Sequence, residues 1–259
     1  VVYAQPTEKD DIKYKAQQVS TAIPLSNSYT VLLADSLYED LNLYDAFVAE
    51  YGIPEAGITV EFIVFAGVLI TASASNYAYV SRPHPTLGNI FSYMPQNYGL
   101  INPSSWPSDV SIKLTVNSGA LVGGLGGDGG WVYDVTNNDG NGQHGGHGIK
   151  IEYPLAIDNL GVLFGGAGGG GSVEYFGCGG GGGAPIGLGG TTGGQNATRS
   201  IGGDGGYTSD IGGATGGRGG DLGQNGSDGI FGGIGVIKNL GGIAGDAIHG
   251  SVLITWINT

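Results

Sequence analysis

Two histidines, His144 and His147, stand three residues apart in the run HGGH, and imidazole is the commonest protein ligand for transition metals. On an extended helix with three residues per turn, positions i and i+3 share a face about 9 Å apart. One ion cannot reach both rings unless the chain bends or a symmetry mate adds ligands. Solvated loop histidines are the preferred reading, and no metal is assigned. The segment GGRGGD at 216–221 matches part of a calcium-binding nonapeptide. Its eighth position is Gly223 where an apolar residue is needed, and no tandem copy follows. The stretch NNDGN at 137–141 could hold a cation or simply turn, and the turn is preferred. There is no G-x-S-x-G elbow and no GxxxxGK[ST] loop, and the G-x-G-x-x-G matches lack a βαβ unit. No catalytic residue and no cofactor is assigned; the chain reads as non-enzymatic.

The chemistry that remains is recognition. Short aromatic and polar segments interrupt the glycine runs at 131–144, 172–176, 191–200, 207–210 and 224–231. Aromatic and arginine side chains dominate binding hot spots because they bury much area at modest entropic cost. The candidate contact residues are Trp131, Tyr133, Asn138, Tyr175, Phe176, Arg199, Tyr207 and Asp210. For Trp131 and Phe176 the rival role is an apolar layer over the glycine core. Tyr77, Tyr79, Tyr93 and Tyr98 suit a secondary contact or an interface with another protein.

What could position such segments is set by glycine. Of the 55 glycines, five lie in 1–118 and the other fifty in 119–259. Ordinary usage is about 7%, so the composition divides the chain at Gly119. Residues 1–28 read as an arm or linker, 29–118 as a strand-rich module, and 119–259 as a glycine-rich domain. Disorder is disfavoured because Ile, Leu, Val, Phe, Tyr and Trp, rather than Ser and charge, separate the glycines. The net charge of −13 argues against nucleic acid and anionic lipid as partners. Cys178 is the single cysteine, so no intrachain disulfide forms. The apolar run 58–72 is broken by Glu61 and Gly67 and falls short of the roughly 18 residues of a membrane span. The chain begins at Val1 rather than Met, which suits a processed product or the end of a longer polypeptide.

In the first half, strands are expected over 29–34, 58–65, 68–72 and 110–116, the last with Ile112, Leu114 and Val116 alternating against Ser111, Lys113 and Thr115. Tyr44, Phe47, Val48 and Tyr51 mark one face of a short helix capped by Asn42 and stopped by Gly52 and Pro54. Residues 81–107, with five prolines, read as a loop region.

An internal repeat, N-x-G-x-[LI]-x-G, appears at 117–123, 159–165 and 239–245, with a degenerate copy at 65–70. Each copy reads as strand, turn, strand, then glycine run. Within the runs the non-glycine residues fall at every third position, as at Val122, Leu125, Asp128 and Trp131, or Ile201, Asp204 and Tyr207. Three residues per turn is the period of the polyproline-II helix, which has no internal hydrogen bonds. Its buried amides must therefore bond to neighbouring helices. The expected fold is mainly β and irregular: a small strand-rich module with one helix, then a sandwich of packed polyglycine-II helices flanked by short strands.

The stretches IDNLGVLFGGAGGGG at 157–171 and GCGGGGGAPIG at 177–187, with the closing 241–256 segment, resemble the glycine-rich distal adhesins on the long tail fibres of T-even-type bacteriophages. The resemblance covers 110–259 well and 40–109 more loosely. It implies a polyglycine-II sandwich whose intervening loops choose the bacterial receptor, an outer-membrane protein or a surface glycan. It also implies a place at the distal end of the virion's tail fibre, with a tail-fibre protein or a homotrimer as partner and no insertion into membrane. The alternative is a structural virion or extracellular filament protein that uses the array for rigidity. Ice binding fits less well, because it wants a flat face of small residues.

Overall fold

The computed structural model describes residues 27–37, 40–84, 88–131, 140–173, 178–190, 193–208, 213–231, 239–250 and 253–258. The arm expected over 1–28 lies outside them except for its last two residues. Strands form where the side chains alternate. β1 (Ser28–Leu33), β3 (Thr59–Val64), β8 (Ser111–Val116) and β11 (Leu155–Asn159) bury every second residue: Val31 and Leu33, Val60, Phe62 and Val64, Ile112, Leu114 and Val116, Leu155 and Ile157. With β17 (Ile254–Asn258) they make a parallel sheet in the order β1-β3-β8-β11-β17. The register stacks like on like, Phe62 beside Leu114 and Leu114 beside Ile157. On the outer face Lys113 bridges Glu61 at 2.9 Å and Asp158 at 3.5 Å.

Two further parallel sheets repeat the same chain order. One contains β4 (Leu69–Thr71), β9 (Leu121–Gly123) and β12 (Val162–Phe164), with Leu37 bridged to Ile70. The other contains β2 (Leu41–Asn42), β7 (Leu100–Asn102), β10 (Ile149–Ile151) and β16 (Ile248–His249). The chain visits first, second and third sheet in turn and begins again, which is the path of a three-faced parallel solenoid. Its interior is one apolar core drawn from all three sheets. The helix α1 (Leu43–Tyr51) joins the third face to the first. Asn42 caps it by accepting from the Tyr44 and Asp45 amides, and Gly52 ends it with φ +85°. Its Phe47 ring packs edge-on against Tyr29 and Trp106. The fully buried residues are Leu43, Ala46 and Phe47, so the buried face is rotated from the expected one, with Val48 only half-buried.

The repeat divides in an unforeseen way. The copies at 65–70, 117–123 and 159–165 are stacked corners between first and second faces, tied by Gly67 N–H to Gly119 O and Val162 N–H to Ala120 O. Gly67 and Gly119 turn these corners at φ +81° and +83°, angles that a side chain opposes. The copy at 239–245 is no corner: Asn239 is buried within the glycine runs and donates to Ser172 Oγ at 3.1 Å. The expected loop over 81–107 is also corrected. It contains most of a hairpin, β5 (Tyr77–His84) with β6 (Gly88–Pro95), and then β7. A two-stranded ribbon leaves alternate N–H groups unpaired, so Pro83 and Pro95 fit in it.

The glycine runs leave the second face and return to the third. Their amides bond between runs, and the partners advance in steps of three. Gly124, Gly127 and Gly130 donate to the carbonyls of Phe164, Ala167 and Gly170. Gly142, Gly145 and Gly148 donate to Leu240, Ile243 and Asp246. The run 165–172 is bonded to 124–130, 140–148, 179–184, 216–220, 224–229 and 239–246, so it is surrounded on all sides. A Cβ on Gly166 would land on the Leu125 carbonyl, and one on Gly169 on that of Asp128. Glycine is required there because backbone touches backbone. The compositional division at Gly119 does not interrupt the first sheet, which takes β1, β3 and β8 from before it and β11 and β17 from after it.

Candidate recognition surface

The runs end together. Gly130 N–H donates to Gly170 O, Ser172 to Gly140, Val173 to Cys178, Gly206 to Gly179, Gly216 to Gly206, and Gly229 to Asn239. These bonds place the residues flanking 132–139, 174–177, 209–212 and 232–238 at one end of the array, away from the solenoid faces where the runs begin. Ser172, fully buried, ties this end: its Oγ lies 3.2 Å from Trp131 O and 3.1 Å from Gly140 O, and accepts from Asn239 Nδ2. One hydroxyl proton serves the two carbonyls.

At the same end β13 (Tyr207–Thr208), β14 (Ala214–Thr215) and β15 (Ile230–Phe231) form a small antiparallel sheet. Its register sets Tyr207 beside Thr215 and Thr215 beside Ile230. Ala214 turns inward onto Val173 and Cys178, so the cross-strand row Tyr207, Thr215, Ile230 faces solvent, with Tyr207 69% and Ile230 59% exposed.

Of the candidate contact residues, Trp131 and Tyr207 are both at this end and exposed. Tyr133, Asn138, Tyr175, Phe176 and Asp210 lie outside the described residues. Arg199 stands apart, because its Nη2 donates to the carbonyl of Gly67 at a solenoid corner, 2.6 Å away. Thr215 and Ile230 were missed. Their two-residue strands are too short to show a period, and only the pairing brings them beside Tyr207.

The histidines are not solvated loops. His144 is fully buried; its Nδ1 accepts from Ile243 N–H at 3.0 Å and its Nε2 faces Ile90 O at 3.3 Å. This pattern demands the neutral Nε2–H tautomer. Burial lowers its pKa to about 4, with the Ile90 carbonyl opposing and Arg82 assisting. His147 Nδ1 lies 3.1 Å from the Asp246 amide and 3.2 Å from its carboxylate. A ring nitrogen cannot accept from one and donate to the other. Burial pushes this pKa down, although Asp246 opposes it, so we assign the neutral acceptor and no ion pair at neutral pH. In the 216–221 segment, Arg218 pairs with Asp221 at 2.7 Å and Asp204 at 3.5 Å. These carboxylates balance a guanidinium.

A hydrogen-bonded scaffold with an exposed aromatic row at one end has the form of a binding protein. The sequence pattern of the phage tail fibre adhesin Gp38 family matches residues 29–259, and the chain belongs to that family. It is similar to the crystal structure of the gp37–gp38 adhesin tip complex of the bacteriophage S16 long tail fibre. Identity is 25% and the TM-score 0.57, over 88% of this chain and 78% of that chain. No curated protein matches. A tail fibre adhesin works in host recognition, and its place is the distal end of the virion's tail fibre. Among the described residues no helix is long and apolar enough to cross a membrane.

Proposed function

We propose that this adhesin recognises its bacterial receptor, an outer-membrane protein or a surface glycan, through the segments gathered at the far end of the glycine array. The observation that carries the reading is that the residues flanking four segments, 132–139, 174–177, 209–212 and 232–238, meet at one end, beside the exposed row Tyr207, Thr215, Ile230. Trp131 and Tyr207 serve as contacts, with Tyr133, Asn138, Tyr175, Phe176 and Asp210 in the adjoining segments. Arg199 instead clamps the array to the solenoid. The runs form a polyglycine-II sandwich, a reading supported by bonding in steps of three. Residues 29–118 carry attachment to a tail-fibre protein, as the gp37–gp38 complex of phage S16 suggests, and residues 119–259 carry receptor binding.

The test is adhesion of the isolated protein to susceptible bacteria and its ability to block infection. The Trp131→Ala/Tyr207→Ala variant should lose at least tenfold in adhesion, since truncating a hot-spot residue costs about 2 kcal/mol or more. Its heat-unfolding midpoint should not move. Full adhesion by this variant would refute the assignment of these residues, and no adhesion by the unaltered protein would refute the receptor-binding reading itself.

A further inference from the structure

The hairpin β5–β6 lies along the flank of the array. Its inner face is sealed: Ile90, Ser92 and Met94 are buried, and Tyr93 O accepts from His144 N–H at 2.8 Å. Its outer face follows from the alternation and register, with Tyr79 opposite Tyr93 and Ser81 opposite Phe91. Three aromatic rings stand there side by side: Tyr79 and Phe91 nearly parallel at 6.3 Å, Tyr79 and Tyr93 edge to face at 5.3 Å. They are 47%, 50% and 42% exposed. Clustered exposed rings of this kind offer a surface on which a ligand can stack.

The chemistry of the face selects its ligand. The outward positions Tyr79, Ser81 and Pro83 of one strand and Asn89, Phe91 and Tyr93 of the other carry no charge, while Pro95 at the ribbon's end is buried against the array. The hairpin's arginine, Arg82, points inward to Asp246 at 3.3 Å. On a protein of net charge −13, an uncharged ring platform edged by hydroxyl and amide groups suits a neutral partner. A pyranose offers the matching surface: C–H groups on one face, attracted to the negative face of an aromatic ring, and a rim of hydroxyls for Ser81 and Asn89. Among the described residues, these outward strand positions offer a basic partner no carboxylate and an acidic one no cation.

We propose that Tyr79, Phe91 and Tyr93 form a second binding site, for a neutral saccharide of the bacterial surface, separate from the far end of the array. The proposal rests on the adhesin reading. The experiment titrates the full chain, by calorimetry, with polysaccharide released from the lipopolysaccharide of a strain to which the protein adheres. Saturable binding is expected, reduced at least tenfold in Tyr79→Ala/Phe91→Ala and retained in Tyr79→Phe. Cell adhesion without any polysaccharide binding overturns the saccharide site and leaves the adhesin reading standing. Polysaccharide binding that survives Tyr79→Ala/Phe91→Ala overturns it too. So does loss, in that variant, of binding to vesicles carrying only outer-membrane protein, which makes the platform a protein contact. Absence of both adhesion and saccharide binding sinks the two readings together.

Discussion

His144 shows what burial does to a residue type that sequence spacing ties to metal. Two neighbours fix its tautomer, the Ile243 amide on Nδ1 and the Ile90 carbonyl beside Nε2. Protonating Nδ1 would set a donor against a donor. The folded pKa of about 4 lies below the ordinary value of 6.5, so the unfolded chain binds the extra proton between those pH values. Stability from this residue is complete above pH 6.5 and is lost as pH falls towards 4. The full loss is roughly 3 kcal/mol at 1.36 kcal/mol per pH unit. Urea titrations at pH 7 and pH 4.5 should show the fall, and His144→Phe should flatten it. The same variant strands the Ile243 N–H, at a cost of about 1–3 kcal/mol at neutral pH. A pH dependence unchanged by the substitution would exclude His144 as its source.

At the scale of elements, the array departs from ordinary secondary structure. Its stability comes from amides bonded between runs, and each run tolerates Cβ atoms only where no neighbour's carbonyl approaches. Gly170→Ala would drive its methyl into the Gly217 carbonyl. Backbone cannot rotate away as a side chain can, so a destabilisation of about 1–3 kcal/mol is expected, read as a lower heat-unfolding midpoint. An unchanged midpoint would show that the run is not packed as described. Amide hydrogen exchange gives a second check. Gly166, Gly169 and Gly170 donate to Gly146, Gln143 and Gly181 at 2.8–2.9 Å, and should exchange as slowly as the amides of β3 and β8. Exchange at the rate of an unstructured peptide would contradict the scaffold. The threefold spacing behind this array was legible at Val122, Leu125 and Asp128. Which run bonds to which was not, because glycine amides and carbonyls are chemically alike.

For the whole molecule, the consequence is cooperativity. The array's longest runs begin at β9 and β12 and return to β10 and β16, so they are extensions of solenoid turns. The first sheet then crosses the compositional division at Gly119. Calorimetry should show one unfolding transition for residues 29–259. Two well-separated transitions would mean that the solenoid and the array melt as independent units. The residues flanking 132–139, 174–177, 209–212 and 232–238 share one end of the array, whereas Arg199 is tied through Gly67 O to a solenoid corner.

Alternation by twos and threes, the cap at Asn42 and the glycine density determined the strands, the helix and the glycine runs. Each depends on neighbours a few residues away. Tertiary structure alone decided what those elements bond to. Asn117 and Asn239 open the same motif, yet one turns a solenoid corner and the other is buried beside Ser172. Pro83 and Pro95 masked a hairpin whose pairing lies between strands, and Thr215 and Ile230 joined Tyr207 only across a sheet. Contacts between distant segments depend on which surfaces exclude water together, and that is a property of the assembled chain rather than of any window within it.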